Sequence, residues 1–286
     1  MSPSASSRLR IITAMVIFGT IGIFRRYIPL DSSLIALVRG VVGTAFLLLV
    51  MLLTRTKADR AAICRNLKLL VISGAAIGFN WILLFESYRY TSVATATLCY
   101  YMAPIFVMLL SPVVLGQRLT KLKMICVGVA LAGMVLVSGV LENGGGGFRG
   151  ILLGLGAAAF YASVILMNQF IRDIPAYDKT ILQLGSASAV LLPYVLLTVN
   201  FAAQALTPMA VLMLLVVGVV HTGAAYWLYF GGMKNLPAQT IALLSYLDPV
   251  VAIVLSALLL GEPMTLLTGV GAVLVLGATA VSEMKQ

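Results

Sequence analysis

The sequence of 286 residues has little charge, few acidic residues and a single histidine. Charged residues make up 10% of it, Asp and Glu together number nine, and the histidine is His221. Soluble domains are about 25% charged, so a chain this poor in charge would expose large apolar patches in water and aggregate. So few histidines and carboxylates also argue against a membrane-embedded enzyme, whose metal or acid–base chemistry needs such groups in clusters.

Cysteine is scarce as well. Cys64, Cys99 and Cys126 are the three cysteines, and they lack the C-x-x-C spacing of zinc and redox sites. The sequence therefore predicts no metal site, no disulfide framework and no cofactor. Cys99 and Cys126 lie in apolar segments, where a cysteine usually serves packing.

Apolar residues are what the sequence has in abundance, at 61% of the chain, with a mean hydropathy of +1.08. The apolar runs hold about twenty residues, the length that crosses a bilayer core as a helix. They lack the residue alternation of a membrane barrel. We therefore predict an all-α polytopic membrane protein with ten transmembrane helices and no soluble domain. The ten segments are Leu9–Tyr27, Ser33–Leu53, Lys68–Tyr88, Val93–Val114, Leu122–Val140, Gly150–Phe170, Asp178–Val199, Pro208–Phe230, Ala238–Leu260 and Leu266–Ser282.

The net charge of +10 comes from basic residues that lie mainly in the loops on one side of the predicted spans. In a soluble protein it would suggest a nucleic-acid partner, but here the basic residues cluster in short loops. Fourteen of the 19 Lys and Arg residues fall in the two tails and the loops on their side, and four in the opposite loops. The positive-inside rule then predicts that both termini are cytoplasmic and that nucleic acid is not a partner.

An internal repeat is visible at a constant offset of 145 residues, where Tyr101-Met-Ala-Pro104 reappears as Tyr246-Leu-Asp-Pro249. A shared Tyr, Pro, Gly and Thr in one register are hard to obtain by chance. The repeat predicts two halves, residues 1–143 and 144–286, with five spans each. The further matched pairs are Ser111/Ser256, Leu115/Leu260, Gly116/Gly261 and Thr120/Thr265.

Five spans per half have a geometric consequence. Because five is odd, the second half must enter the membrane in the opposite orientation to the first. Inverted repeats of this kind build secondary transporters, with a site near the midplane where the halves meet. The competing interpretation is a duplicated membrane protein that does not transport.

Two sequence patterns resemble a known family. They are T-S-x-A-x-A…P-x-F…L-G-Q-R-L-T from Thr91 to Thr120 and A-x-T…P-V…L-L-L-G-E-P-M-T from Ala238 to Thr265. Both resemble the EamA-type exporters of the drug/metabolite transporter superfamily, and the resemblance covers nearly the whole chain. One departure is Gln117, which stands where the repeat usually ends in Gly-Glu.

Within that superfamily the sequence is most similar to bacterial aromatic amino acid exporters. The resemblance implies a carrier in the bacterial plasma membrane that moves amino acids, aromatic or amphipathic, out of the cell, and we expect it to work as a monomer. Other subfamilies export drugs or other small metabolites, nucleoside-like ones among them, so that alternative stays open.

Among the acidic, basic and histidine side chains, three lie well away from the ends of predicted spans, where charge is costly and often functional. Asp248 lies near the middle of the ninth span and could bind a proton or a substrate ammonium; alternatively, it is a hydrogen-bonded structural residue. His221 could take part in proton coupling or could simply pack. Arg39 could snorkel to the outer face or hold a carboxylate with both arms of its guanidinium.

Aromatic and small polar residues also cluster at mid-span, away from the interfaces where tyrosine and tryptophan usually gather. Each buried tyrosine hydroxyl needs a hydrogen-bond partner. These residues could line a substrate cavity or could join helix to helix. They are Asn80, Thr97, Tyr100, Tyr101, Tyr161, Ser245 and Tyr246.

Pro104 and Pro249 occupy matching positions in the fourth and ninth spans. A proline inside a helix removes a backbone hydrogen bond and kinks it. We predict that both positions are hinges.

Overall fold

A computed structural model of the protein describes residues 3–91, 93–137, 147–260 and 265–284, and its regular elements there are all helical. Gly261, named above in the repeat, lies outside these ranges. The α-helices, numbered in chain order, are α1 Pro3–Arg25, α2 Ser32–Leu53, α3 Arg60–Tyr90, α4 Val93–Tyr100, α5 Ala103–Leu115, α6 Lys121–Val137, α7 Phe148–Asn168, α8 Ala176–Thr198, α9 Pro208–Gly218, α10 Ala225–Gly232, α11 Ala238–Leu244, α12 Leu247–Leu260 and α13 Leu266–Met284.

Eight helical segments of the described ranges are long and apolar enough to cross a membrane. Five are the single helices α1, α2, α3, α7 and α8, and three are composite, namely Thr95–Leu115, Pro208–Asn235 and Ala238–Leu259. The other two predicted spans correspond to shorter helices, α6 with 17 residues and the apolar part of α13, Gly269–Val281. The all-α polytopic class is confirmed, whereas the number ten and the inversion of the halves stay predictions.

Short polar residues begin several of these helices. The carboxylate of Asp31 accepts from the Ser33 amide at 2.9 Å before α2, and that of Asp59 accepts from the Ala62 amide at 2.9 Å before α3. Such caps satisfy amides that have no partner within the helix. At the far end of α5, Gly116 adopts φ 64°, the left-handed conformation that ends many helices and that glycine adopts without strain.

The predicted spans Val93–Val114 and Ala238–Leu260 are found as membrane-crossing segments, but each is built from two helices. The first is interrupted between α4 and α5 at residues 101–102, and the second between α11 and α12 at residues 245–246. Pro104 and Pro249 lie in the first turn of the helix that follows, where the missing N–H has no cost. Each proline therefore marks a helix break rather than a kink, and the two breaks agree with the 145-residue offset to within one residue.

The predicted span Pro208–Phe230 is not a uniform helix either. A π-helix over Val219–Ala224 joins α9 to α10 and contains the buried His221 and Thr222. An extra residue in a turn changes the direction of the side chains around it, and such turns are frequent at functional sites. No residue in the sequence predicted it.

Contacts between the helices follow the repeat. Helix α3 packs against α7 and α8, and the segment from α9 to α10, 145 residues after α3, packs against α1 and α2. Helix α6 packs against its counterpart α13, and α2 packs against its counterpart α8. Moving both partners of any of these contacts by 145 residues gives a pair of helices that are also in contact. This pattern is expected if a two-fold rotation relates the two halves.

Candidate functional site

Helices α3, α4, α7 and α10 enclose a small aromatic chamber. Its volume is about 20 Å³, enough for about one water molecule, whereas ligand sites measure about 300–1,000 Å³. The chamber must widen before an organic molecule can enter. Its walls are Ile77, Asn80, Trp81, Tyr100, Tyr161, Val164, Tyr226, Tyr229 and Phe230.

Tyrosines hold the chamber walls together. The ring of Tyr100 stacks on that of Tyr161 with centroids 5.4 Å apart and planes 10° apart. The Tyr161 hydroxyl donates to Ser245 Oγ at 3.1 Å and lies 2.9 Å from the Tyr229 hydroxyl, which therefore donates to it. Ser245 Oγ in turn donates to the Ile241 carbonyl at 2.9 Å. Tyr100, Tyr161 and Ser245, three of the predicted site residues, meet here.

Asp248 is half-buried in the first turn of α12. Its carboxylate is close enough to Tyr100, Tyr101 and Arg39 to interact with them electrostatically. Because the side chain is only half-buried, its oxygens are not sealed away from water.

Arg39, on α2, lies beside the chamber residue Trp81. Its Nε donates to Thr222 Oγ1 at 3.0 Å, and its guanidinium carbon is 5.2 Å from the ring centroid of Trp81. The hydroxyl of Tyr226 lies beside both Arg39 and Trp81. Thr222 engages one of the five guanidinium donors, and the aromatic ring provides a cation–π contact. Arg39 is thus held within the protein and does not snorkel to a surface.

A cleft of about 250 Å³ reaches Arg39 from one end of the helical bundle. It is adjoined by a second cleft of about 160 Å³, with which it shares Ser32, Phe85 and Tyr88. We call this end, where α1 finishes and α2 begins, the cleft end. The lining of the larger cleft is Ile21, Gly22, Arg25, Ile28, Ser32, Ile35, Ala36, Arg39, Phe85, Tyr88 and Val217.

At the opposite end, polar contacts join the two halves. Gln239 is 1% exposed, donates through Nε2 to Ser111 Oγ at 2.7 Å and accepts from Lys123 Nζ at 3.0 Å. Asn235 Nδ2 donates to Ser7 Oγ at 3.1 Å. A pocket of about 260 Å³ lies at this end beside Arg172 and Lys234, but it shares no lining residue with the chamber.

The other predicted site residues have mixed roles. Asn80 lines the chamber while its Nδ2 donates to the Ala157 carbonyl at 2.6 Å. Thr97 lies beside the Tyr88 hydroxyl at the cleft. Tyr246 is fully buried and donates to the Tyr101 carbonyl at 3.1 Å, so this pair joins α11–α12 to the break after α4 rather than lining the chamber.

His221 lies outside the chamber. Its Nε2 is 2.8 Å from Thr20 Oγ1, whose own proton goes to the Ile17 carbonyl, so Nε2–H is the donor. Phe24 packs on the ring with centroids 4.8 Å apart, and Nδ1 is buried without a partner. His221 therefore joins the π-helix to α1, next to Thr222, which holds Arg39.

Trp81 and Tyr226 are site residues that the sequence reasoning missed, because their distance from the span centres suggested an interfacial aromatic belt. They are 145 residues apart, and their rings meet at 6.2 Å in an edge-on contact. Tyr101 and Tyr246, also 145 apart, meet at 6.5 Å. Applying the repeat offset to the aromatic residues would have identified both pairs.

Membrane-crossing helices enclose an internal aromatic chamber, and Arg39, which lines the cleft, contacts the chamber residue Trp81. This arrangement is that of a membrane transporter. Within the described ranges no three His, Cys, Asp or Glu side chains converge as metal ligands. The model of the EamA-like transporter family matches residues 6–139 and again residues 148–284. The chain belongs to the EamA-like transporter family.

Relatives cover almost all of the chain. It is 30% identical to the uncharacterized transporter YxxF of Bacillus subtilis (strain 168), over 99% of this chain and 93% of that protein. It is 26% identical to an uncharacterized transporter of Archaeoglobus fulgidus, over 95% and 94% of the two chains. One solved crystal structure superposes with a TM-score of 0.86 and covers 98% of this chain and 97% of its own, at 19% identity. These relatives support membrane transport, and their names state no substrate.

Proposed function

We propose that the protein is a secondary transporter that exports amino acids across the bacterial plasma membrane by alternating access. The pair of opposite charges, Arg39 on α2 and Asp248 on α12, carries this proposal, because both lie close to the chamber residue Tyr100 and to each other. Arg39 binds the carboxylate of the substrate and Asp248 its ammonium group. The aromatic rings accept an aromatic or amphipathic side chain. No enzymatic step is part of this function.

The proposed architecture has ten spans in two inverted halves, 1–143 and 144–286, with both termini in the cytoplasm. The two family matches, the exchangeable contacts between halves and the basic loops support it. In this topology the cleft end faces outward, and the opposite end faces the cytoplasm. Carriers of this design expose a midplane site to one side at a time.

The helix breaks beside Pro104 and Pro249 act as hinges in this proposal. Because the backbone is already interrupted there, one part of each segment can rotate while the other stays packed. Replacing each proline by alanine should slow exchange several-fold, since a proline-free turn can rejoin the two helices. Unchanged exchange in both variants would eliminate the hinge.

Counterflow tests the proposed substrate. Purified protein is placed in liposomes loaded with phenylalanine, and uptake of labelled phenylalanine is followed. Uptake should saturate and be competed by aromatic amino acids, but poorly by phenethylamine or hydrocinnamate, which lack one charge each. Competition by nucleosides or cationic drugs instead would favour the alternative substrates, and uptake that does not saturate would argue for a channel.

The roles assigned to Arg39 and Asp248 can be tested with variants that remove each charge. Arg39→Met and Asp248→Asn should each weaken phenylalanine exchange by about tenfold to a hundredfold, the effect of one or two charge-assisted hydrogen bonds. Arg39→Lys keeps the charge but loses the planar fork and should have an intermediate effect. Normal exchange in both neutral variants would refute the assigned site.

A further inference from the structure

Lys179 is a buried cation that the proposed site does not use. It lies in the first turn of α8 and is 4% exposed. Its Nζ donates to the Phe230 carbonyl at 3.4 Å and lies 6.0 Å from the centroid of the Phe230 ring. No carboxylate of the described ranges forms an ion pair with it. An ammonium group has three donors, and burying it with one weak partner is costly.

Phe230 separates Lys179 from the chamber. The ring is 1% exposed and forms part of the chamber wall, while the carbonyl contacts Lys179. A small movement of α10, which ends two residues later at Gly232, would bring the ammonium group and the chamber into contact.

The repeat indicates when that movement occurs. Phe230 lies 145 residues after Phe85, and Phe85 lines the cleft. If the halves exchange conformations, Phe230 lines an equivalent cleft at the opposite end. The remaining wall of that cleft follows from the same offset, with Tyr177, Thr180 and Ile181 taking the places of Ser32, Ile35 and Ala36. Lys179 directly precedes Thr180 on α8; its own counterpart, Leu34, is not part of the cleft lining, and Lys179 reaches this region through its contact with the Phe230 carbonyl.

Helices α2 and α8 are counterparts in the two halves, and each contains one basic residue, Arg39 or Lys179. The two occupy different register positions, since Arg39 corresponds to Leu184 and Lys179 to Leu34. One cation is therefore reached from the cleft end, and the other lies behind Phe230 toward the opposite end.

We propose that Lys179 is a second carboxylate-binding residue, which captures the substrate at the opposite end before the carboxylate passes to Arg39. This inference rests on the proposed function. The competing role is structural, since a lysine near a helix carboxyl end can cap its last carbonyl groups, as Lys179 does for α10.

Lys179→Gln separates the two roles. Glutamine keeps an N–H donor for the Phe230 carbonyl but removes the charge, and Lys179→Arg keeps the charge. Lys234→Gln is the control, because Lys234 is an exposed cation at the same end. Phenylalanine exchange is measured in right-side-out and in inverted membrane vesicles, so that each end is presented with substrate in turn.

Lys179→Gln should raise the KM for phenylalanine at the opposite end by about tenfold, the effect of one charge-assisted hydrogen bond. The KM at the cleft end should change by less than about twofold, because Arg39 receives the carboxylate there. Competition by phenylalaninamide, which has no carboxylate, should be unaffected at both ends. Lys179→Arg should restore most of the KM, and Lys234→Gln should behave as the unaltered protein.

An unchanged KM at the opposite end, or the same change at both ends, would overturn the role of Lys179 while leaving the proposed function intact. If Lys179→Gln does not fold, Lys179→Met takes its place, because methionine keeps much of the side-chain length without the charge. Lys179→Met should raise the KM at the opposite end only, whereas a purely capping role predicts equal KM values at both ends. Absence of phenylalanine exchange by the unaltered protein would overturn the proposed function and this inference together.

Discussion

The two ends of the molecule differ in how they are closed. At the cleft end, Phe85 and Tyr88 line a cleft that reaches Arg39. At the opposite end, Phe230 is buried and Gln239 connects α11 to α5 and α6 through hydrogen bonds. Phe85 and Phe230 share one position of the 145-residue sequence repeat, yet the first lines a cleft and the second is buried.

In the proposed cycle, a molecule with one end open and the other closed is one of two conformations. The chamber, at about 20 Å³, is too small for an amino acid. The chamber must therefore widen before an amino acid can enter, and in the proposed cycle the opposite end opens as the cleft end closes. Blocking this conformational change, or removing a contact at one end, should therefore change access to the chamber differently from the two ends.

A cross-link across the opposite end should have the largest effect. Ser7 and Asn235 are joined by a hydrogen bond of 3.1 Å between their side chains, so cysteines at both positions are close enough for a short bifunctional reagent. With Cys64, Cys99 and Cys126 replaced by serine, cross-linking of Ser7→Cys/Asn235→Cys should abolish phenylalanine counterflow, because the opposite end can no longer open. Each single-cysteine variant, treated in the same way, should retain exchange.

A reducible reagent provides the control for this experiment. Cleaving the link should restore exchange to the level of the untreated double variant. Full exchange by protein that is completely cross-linked would contradict opening at this end, and with it the comparison between the ends.

The equivalent phenylalanines should respond differently to truncation. Phe230→Ala removes a buried ring that closes the chamber, whereas Phe85→Ala removes one that already lines a cleft. The reporter is a cysteine at Ile77 (Ile77→Cys), in the chamber. Phe230→Ala should increase its rate of labelling from the opposite end about tenfold, whereas Phe85→Ala should leave that rate nearly unchanged. The reason is that truncation costs a few kcal/mol only where the ring is packed. A membrane-impermeant maleimide applied to vesicles of known orientation measures both rates, and equal responses would remove the distinction.

Much of this arrangement was predictable from sequence because length and hydropathy determine where helices cross a membrane. The tyrosines Tyr100 and Tyr161 and the charged Asp248 were identified by their depth in a span. The register of the repeat also located the two proline positions. These properties depend on single residues and their spacing, which a sequence displays directly.

The rest depends on contacts between distant residues. Arg39 is a site residue because Thr222 and Trp81 hold it, and Thr222 reaches it from a π-helix that no local pattern announces. His221 was expected as a candidate for the cavity, yet its contact with Thr20 places it against α1. The prolines indicated bending, but whether a helix kinks or stops depends on how its neighbours satisfy the freed backbone groups.

Removing the Gln239 contact should produce a smaller shift between the two conformations. The residue 145 positions before Gln239 is Ala94, whose side chain cannot form hydrogen bonds, so the same contact cannot form at the cleft end when the halves exchange. Gln239→Leu removes two hydrogen bonds that form in the present conformation and have no equivalent in the exchanged one. At about 1 kcal/mol each, their loss should raise the ratio of Ile77→Cys labelling from the opposite end to labelling from the cleft end by about five- to thirtyfold at most.

The matched control is Gln204→Leu, because Gln204 accepts from the Asp31 amide at 2.9 Å at the cleft end. This variant should leave the ratio unchanged or lower it. A ratio that stays constant in Gln239→Leu while the melting temperature falls would show that Gln239 stabilises both conformations equally, and the asymmetry between the ends would then rest on Phe230 alone.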